Sequence, residues 1–551
     1  MHLHHAHIRT ALLLALGTAA VGASTCAPTV HLQNGTVTGS RCQGVNANSF
    51  SSIPYAKAPV GDLRFAPPQP YDNTFGVLNG TKHAPACIQF DKTFGEKGPQ
   101  SEDCLFVNIW APASASPDSK LPVKVWLYGG SNMAGGISNP TYDGCHAAAD
   151  SIVVSVNYRV GPLGFLALKG LGLGGNLGSM DQMLALRWVQ DNIPAFGGDP
   201  AKVLLFGQSA GATDTYALAS RDEAPQVMRA AAMQSGGGRD LPTIDQVQKW
   251  QTRFADGLNC SSSSSTAVDL SCFRAASTAA LQAAVAGMPK DPVINTYTPI
   301  VYDGARTRWG PVVDGTFLKQ SPFAVGTQVP AIFGSATNDS SLFVIPSFGR
   351  DAFTLNQTVY DAFLVSNFGP LASRVNETFS VAGNFGGKVY AAMEAIITDT
   401  SYKCWAYQGA RKAASRGIPA YAYIFGHVPS CAWYSLIPPD AIEILGATHT
   451  AEIPFVFNTT SSLPAPSGNC TMKPAEVEMA RSLSRAWTNM AESGKPTGDD
   501  AGFLWPAFDD ETWNGLDVGQ EKMGVGRLDY GSCAFWAEID EELQRIEYSS
   551  S

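Results

Sequence analysis

The sequence predicts an α/β fold with a mainly parallel central sheet flanked by helices, and two patterns carry this prediction. Continuous apolar runs bounded by turn residues occur at 121–128, 151–158 and 202–206. Such runs are typical of strands buried on both faces of a parallel sheet. Between the last two runs, apolar residues recur every three or four positions across 179–192, which indicates an amphipathic helix. This alternation is the order expected for an α/β fold.

Later segments extend the same alternation. The alanine-rich segment 210–220 predicts a helix after the third strand, and the runs at 329–333 and 420–425 predict further strands. The chain has 551 residues, but no repeat of fixed period and no linker-like tract divides it. We therefore expect one domain over residues 24–551.

Composition argues against one class of partner. Hydrophobic residues make up 45% of the chain, enough for a large core, and charged residues only 15%. The formal net charge is −10, and a negatively charged protein repels phosphate backbones and anionic membrane surfaces. Nucleic acid is therefore not an expected partner.

The first residues are typical of an export signal. Arg9 precedes an apolar stretch at 11–23 that ends in the small residues Val21-Gly22-Ala23, which is the pattern of a cleaved signal peptide. The stretch is too short to span a bilayer, which takes roughly 20 residues. A buried N-terminal helix is the alternative interpretation. We predict a signal peptide over residues 1–23, no transmembrane segment and a secreted protein.

Cysteines and glycosylation sequons agree with export. The chain has 11 cysteines, which pair in an oxidising compartment. Local spacing suggests the pairs Cys26–Cys42, Cys87–Cys104 and Cys260–Cys272, but spacing alone leaves the connectivity open. Sequons that predict a glycoprotein, some of them expected by chance, occur at Asn34, Asn79, Asn259, Asn338, Asn356, Asn376, Asn458 and Asn469.

The sharpest local motif is Gly207-Gln208-Ser209-Ala210-Gly211. Small residues two positions before and after the serine relieve crowding at a strained strand-to-helix turn that exposes the hydroxyl. The N-terminus of the following helix favours developing negative charge. With 54 glycines in the chain, the bare pattern arises easily by chance. The flanking strand and helix make Ser209 a predicted nucleophile.

A serine hydroxyl needs a base, because it is not nucleophilic at neutral pH. In folds with this motif the chain order is serine, acid, histidine. After Ser209 the chain contains only His427 and His449. Both are candidates for the base on the residues alone.

Long motifs over nearly the whole mature chain resemble the type-B carboxylesterase/lipase family, the cholinesterase-like branch of the α/β-hydrolases. They are SIPYAKAPVGDLRF (52–65), SEDCLFVNIWAP (101–112), NYRVGPLGFL (157–166), GNLGSMDQMLALRWVQDNIPAFGGDP (175–200), FGQSAGA (206–212) and GATHTAEIPFVF (446–457). The resemblance implies a single α/β-hydrolase domain that hydrolyses carboxylic esters.

The resemblance also assigns the catalytic residues. It implies Ser209 as nucleophile, His449 as base and Asp339, within GSATNDSSLF (334–343), as acid. Most members of the family resemble one another in having Glu at the acid position. Asp is one methylene shorter, but it can still orient a histidine ring and stabilise the imidazolium.

The oxyanion hole implied by the resemblance consists of the backbone N–H groups of Gly130, Ser131 and Ala210. Family members usually have three consecutive glycines in this loop, and Ser131 replaces the third. Because the donors are backbone groups, this replacement need not remove one. Gly129-Gly130 alone is equally compatible with an ordinary turn after a strand.

Scaffold features follow from the same resemblance. The family's disulfides correspond to Cys87–Cys104, Cys260–Cys272 and Cys404–Cys533. Cys26–Cys42 and Cys431–Cys470 would then be additional, with Cys145 left free. Two buried ion pairs of the family correspond to Arg64–Glu102 and Arg159–Asp181.

The expected substrate is a neutral carboxylic ester, with the size of its acyl group left open. The loop between Cys87 and Cys104 has no apolar stripe like a lipase lid. It also lacks the Trp that holds a quaternary ammonium in the cholinesterase branch. Gln208 stands where that branch has Glu. We expect no cofactor and no metal ion. A lipase for long-chain acylglycerols and a non-catalytic adhesion or binding protein are the alternatives.

Overall fold

The structure is a computed structural model that describes residues 27–92, 95–260, 270–288, 309–497, 504–520 and 522–550. Its strands are β1 (Thr29–Leu32), β2 (Gly35–Thr38), β3 (Ser40–Arg41), β4 (Ala47–Pro54), β5 (Gly76–Asn79), β6 (Ala86–Cys87), β7 (Gln100–Ser101), β8 (Phe106–Pro112), β9 (Leu121–Leu127), β10 (Ile152–Val156), β11 (Ala167–Leu168), β12 (Leu173–Gly174), β13 (Gly198–Gln208), β14 (Ala230–Gln234), β15 (Ala331–Ala336), β16 (Ala420–Phe425), β17 (Asn514–Val518) and β18 (Met523–Arg527).

The α-helices are α1 (Gly161–Phe165), α2 (Leu177–Asn192), α3 (Ala210–Ala219), α4 (Ala224–Val227), α5 (Ile244–Gly257), α6 (Leu270–Ala275), α7 (Thr278–Ala286), α8 (Pro322–Val325), α9 (Ser341–Phe348), α10 (Gln357–Phe368), α11 (Ala372–Thr378), α12 (Val381–Asn384), α13 (Val389–Thr398), α14 (Cys404–Ser415), α15 (Ile442–Leu445), α16 (Ile453–Val456), α17 (Pro474–Ser493) and α18 (Cys533–Ser550).

An eleven-stranded sheet forms the centre of the described chain, in the order β18-β17-β16-β15-β14-β13-β9-β10-β8-β4-β3. Strands β10, β9, β13, β14, β15, β16 and β17 run parallel to their neighbours in this order. Antiparallel strands complete both edges. The α/β-hydrolase fold expected from the sequence is confirmed.

The apolar runs of the sequence correspond to central strands. Those at 121–128 and 151–158 form β9 and β10, whose residues are buried except for a half-buried Leu121. The run at 202–206 forms the inner part of β13, which begins earlier, at Gly198, through a register irregularity against β9. Helices lie on both faces of a parallel sheet, so its central strands face protein on each side.

Parallel strands place their carboxyl ends at one edge of the sheet, where ligands bind in open α/β folds. Here β9 ends just before the Tyr128-Gly129-Gly130 loop, and β13 ends just before Ser209. Strand β15 ends at Ala336, three residues before Asp339. The sheet therefore brings together segments that are far apart in the sequence.

One disulfide differs from the expectation. Cys42 is bonded to Cys145, with 5.8 Å between their Cα atoms, so the expected Cys26–Cys42 pair and a free Cys145 are wrong. Cys42 follows β3 at the edge of the sheet, and Cys145 lies in the loop between β9 and β10. Spacing in the sequence could not show that these two segments are neighbours. Cys26 lies outside the described residues. The other pairs are as expected: Cys87–Cys104, Cys260–Cys272, Cys404–Cys533 and Cys431–Cys470.

Two ion pairs support the scaffold. Arg64 Nε donates to Glu102 at 2.6 Å, and Arg159 forms a two-point contact with Asp181 at 2.8 and 2.7 Å. The second pair is fully enclosed, with exposed side-chain fractions of 3% and 0%. Within the part of the chain that the structure describes, no helix is long and apolar enough to cross a membrane.

The Cys42–Cys145 bond closes a loop of 103 residues, and cross-linking distant residues reduces the entropy of the unfolded chain. We expect Cys42→Ala with Cys145→Ala to lower the free energy of unfolding by about 2–4 kcal/mol in urea denaturation. The matched double variant of Cys260 and Cys272, whose bond spans 12 residues, should lose less. Recovery of a Cys26–Cys42 peptide from unreduced protein would contradict this assignment.

Candidate active site

The backbone at Ser209 adopts an unusual conformation. Ser209 lies between β13 and α3 with φ +60° and ψ −126°, a region that residues other than glycine rarely occupy. Such a conformation costs on the order of 1–3 kcal/mol and persists only where its surroundings enforce it. Its N–H donates to the carbonyl of Gln234 at 2.8 Å, which fixes the turn against β14.

The two glycines of the motif are required by close packing. A Cβ atom on Gly207 would lie 2.4 Å from the carbonyl oxygen of Gly211. A Cβ atom on Gly211 would lie 2.2 Å from the carbonyl oxygen of Leu127 at the end of β9. Both clashes are with backbone, so a side chain at either position would displace the turn.

The sequence-predicted acid and base are in direct contact. His449 Nδ1 lies 2.5 Å from Asp339 Oδ1, and both residues are buried. The other oxygen of Asp339 accepts bonds from the Ala336 N–H at 2.8 Å and from the Ser235 hydroxyl at 2.7 Å. These contacts fix the carboxylate and leave one oxygen for the histidine.

Ser235 is a site residue that the sequence analysis missed. It directly follows β14 and has φ +53°, and its N–H donates to the carbonyl of Gly334 in β15 at 2.8 Å. Its position directly after a predicted strand could have marked it as a candidate from the sequence. Its contact with Asp339 is visible only in the folded structure.

Gln208 occupies the remaining nitrogen of His449. An ionised carboxylate only accepts hydrogen bonds, so His449 Nδ1 carries the proton shared with Asp339 and Nε2 is an acceptor. The Gln208 amide nitrogen lies 3.0 Å from Nε2, and it donates to it. The side chain next to Ser209 in the sequence therefore holds the lone pair that a base would use.

Two aromatic rings flank the imidazole of His449. The ring centroids of Phe343 and Tyr402 lie 5.0 and 4.9 Å from that of His449. Tyr402 belongs to a π-helical turn, Asp399–Lys403, which joins α13 to α14. Such turns are rare and frequent at functional sites. The turn places Tyr402 against the imidazole, which no helical periodicity in the sequence indicates.

The predicted oxyanion loop lies against the serine turn. A Cβ atom on Gly129 would lie 2.8 Å from Ser209 Cβ, which shows how closely the two backbones approach. Ser131 and Asn132 then adopt φ +56° and +53° in succession. Ala210 is the first residue of α3. The loop and the helix N-terminus thus meet at Ser209.

Ser209 and His449 both line the same pocket. Apolar and aromatic side chains cover much of its wall, among them Leu342 and Ile453. Glu96, in the loop between Cys87 and Cys104, also lines it and accepts a bond from Asn139 at 2.9 Å. Burial raises the pKa of Glu96 despite that bond.

The other candidate base, His427, belongs to a different cluster. Its Nε2 lies 2.9 Å from Glu476 Oε1 and its Nδ1 lies 2.9 Å from the carbonyl of Gln520. Burial alone would raise the pKa of Glu476, but bonds from His427 and from the Ser430 hydroxyl and N–H help to lower it to about 2. His427 is therefore part of the scaffold rather than of the cavity with Ser209.

Comparison with known proteins identifies the class. A model of the carboxylesterase family matches residues 26–536, and the chain belongs to that family. It is therefore a carboxylic ester hydrolase with an α/β-hydrolase fold.

Individual relatives are similar over most of their length. The medium-chain fatty acyl-CoA hydrolase precursor of Anas platyrhynchos is 31% identical, over 90% of this chain and 89% of the relative. The cocaine esterase of Homo sapiens is 31% identical, over 99% and 98%. The cholinesterase of Mus musculus is 30% identical, over 90% and 83%.

The contact between Gln208 and His449 predicts a change in pH dependence. In Gln208→Glu, a carboxylate next to Nε2 would favour the imidazolium form of His449 over the neutral ring. We expect the acid limb of kcat/KM to move to higher pH, so that activity at pH 6 falls relative to pH 8. Gln190→Glu, in α2 and outside the lining of the pocket, is the control. An acid limb in the same place as in the wild type would contradict the expectation.

The lowered pKa of Glu476 predicts acid sensitivity. Folding lowers this pKa to about 2, so the group stabilises the fold above its ordinary value of about 4.3 and loses that effect as the pH falls toward 2. We expect Glu476→Gln to flatten the pH dependence of the free energy of unfolding between about pH 4.5 and pH 2. Glu478→Gln, at an exposed position of the same helix, should not. Equal slopes in the Glu476→Gln variant and wild type would refute this.

Proposed function

We propose that the protein is a secreted serine esterase for neutral carboxylic esters and that it acts through an acyl-enzyme at Ser209. The proposal depends on one observation: Asp339 contacts His449, and His449 and Ser209 line the same pocket. Family membership supports the ester as the reacting group.

In the first step, His449 Nε2 takes the proton of Ser209 while the hydroxyl oxygen attacks the ester carbonyl. The Gln208 amide must leave Nε2 for this to happen, which a bound substrate can bring about by filling the cavity. Asp339 holds the ring and stabilises the imidazolium. The backbone N–H groups of Gly130, Ser131 and Ala210 stabilise the oxyanion.

In the second step, the imidazolium gives its proton to the departing alcohol, and the acyl group remains on Ser209. A water molecule, activated by the same histidine, then attacks the acyl-enzyme and releases the carboxylic acid. None of these steps requires a cofactor.

The wall of the cavity supports a neutral substrate. Gln208 contributes no charge to this wall. The described part of the Cys87–Cys104 loop contributes no tryptophan ring. The tryptophan that holds a quaternary ammonium by a cation–π contact is therefore missing from this loop.

Export remains part of the proposal. Five disulfides in the described chain fit an oxidising compartment, and the leader at 1–23 has the pattern of a cleaved signal. N-terminal sequencing of the protein from its natural source tests it, with a start near residue 24 expected.

The mechanism predicts that Ser209→Ala abolishes hydrolysis of p-nitrophenyl butyrate, with kcat lowered by roughly 10⁴-fold or more, because the nucleophile is removed. Ser220→Ala, a buried serine at the other end of α3, is the matched control and should keep its activity. A fluorophosphonate probe should label the wild type and not Ser209→Ala. Equal rates for Ser209→Ala and wild type would overturn the proposal.

A further inference from the structure

A buried carboxylate links the oxyanion loop to the helix that follows Ser209. Asn132 Nδ2 donates to Asp214 Oδ1 at 3.0 Å, and Gln182 Nε2 donates to Asp214 Oδ2 at 2.6 Å. Asn132 lies in the loop, Asp214 in α3 and Gln182 in α2. Their exposed fractions are 3%, 0% and 0%. The three side chains thus form one enclosed cluster that spans three segments.

The carboxylate of Asp214 is costly to bury at this position. A buried charge is costly unless it is paired, and within the described residues Asp214 forms no ion pair. Burial raises its pKa to about 7 against the two amide hydrogen bonds. An apolar side chain in α3 would avoid this cost, but it would leave the buried amide donors of Asn132 and Gln182 without this acceptor. The carboxylate therefore serves to hold these two side chains.

The loop itself needs a restraint. Ser131 and Asn132 have consecutive positive φ angles, +56° and +53°, and each such residue is strained unless its surroundings hold it. The carbonyl of Asn132 accepts the Gly161 N–H at 2.5 Å, which anchors the backbone from one side. On the opposite side, the hydrogen bond from the Asn132 side chain to Asp214 connects the loop to α3.

We propose that Asp214 is a positioning residue that, through Asn132, holds the N–H groups of Gly130 and Ser131 in register with that of Ala210. The proposal rests on the function proposed above, in which these three groups bind the oxyanion. Donors from a loop and from a helix stabilise the transition state only if their spacing is fixed. The Asn132–Asp214 bond is a side-chain contact that joins these two sources of donors.

This role predicts a specific kinetic signature. A misplaced oxyanion donor weakens binding of the tetrahedral species much more than binding of the ester. We expect Asp214→Ala to lower kcat for p-nitrophenyl butyrate by roughly 10- to 100-fold, with KM changed less than about threefold. Affinity for an alkyl trifluoromethyl ketone, whose adduct with Ser209 carries an oxyanion, should fall by a similar factor.

Two variants separate positioning from stability. Asp214→Asn keeps an acceptor for Asn132, and its amide group can pair with Gln182 after that side chain flips, so it should retain most of kcat and inhibitor affinity. Thr215→Val removes the bond from a fully buried hydroxyl to the carbonyl of Gly211 in the same helix. It should lower the Tm without the loss of inhibitor affinity.

The proposal is overturned if Asp214→Ala lowers only the Tm and keeps the kcat and inhibitor affinity of Thr215→Val. If Asp214→Ala does not fold, the same measurements are made on Asn132→Gly. Glycine adopts the positive φ of this position without strain, and the variant lacks the side chain that bonds Asp214. Unchanged kcat and affinity in Asn132→Gly would then overturn it. Failure of the proposed function is distinguishable, because Ser209→Ala would then hydrolyse the ester as fast as the wild type.

Discussion

The backbone turn at Ser209 is the constraint on which the rest of the site depends. Its positive φ is enforced from both directions, by the end of β13 and the start of α3, and by the hydrogen bond to Gln234 in the neighbouring strand. Gly207 and Gly211 allow the backbone to approach closely enough for this. Each central strand then adds one segment around the turn, so the order of strands in the sheet determines which residues surround the serine.

Acidic side chains buried around the site share one property. Burial raises the pKa values of Asp214, Glu394 and Glu452 to about 7, and each is held by neutral hydrogen-bond donors such as Thr398 or Gln234. Proton uptake by such groups is inexpensive near neutral pH. These three groups can therefore change between charged and neutral forms near pH 7.

Local patterns in the sequence predicted the parts of the fold that depend on local physics. The apolar runs gave the strands around Ser209, and the strand-to-helix motif located the turn itself. The resemblance to a family predicted that Asp339 and His449 act together. In the structure, Asp339 Oδ1 lies 2.5 Å from His449 Nδ1. Apolar runs and the strand-to-helix motif are local patterns, and the family motifs are shared by related chains. All of them can therefore be recognised in a single sequence.

Contacts between distant segments could not be found in the same way. Ser235 with Asp339, Asn132 with Asp214, and Gln208 with His449 join residues more than 80 positions apart. None has a characteristic spacing. The position of Glu96 in the lining of the pocket was not predicted for a similar reason. The sequence of its loop shows that an apolar stripe is absent, but not which polar side chain faces the pocket.

The Cys42–Cys145 bond has a consequence for how the protein is made. In a nascent chain, Cys42 lies 16 positions from Cys26 but 103 from Cys145, and short loops close more readily than long ones. The nearer thiol is therefore favoured by loop closure, and any bond that it forms with Cys42 has to be replaced by thiol–disulfide exchange. Recombinant production should accordingly gain from a disulfide isomerase, and a host with only an oxidant should accumulate a misbridged form.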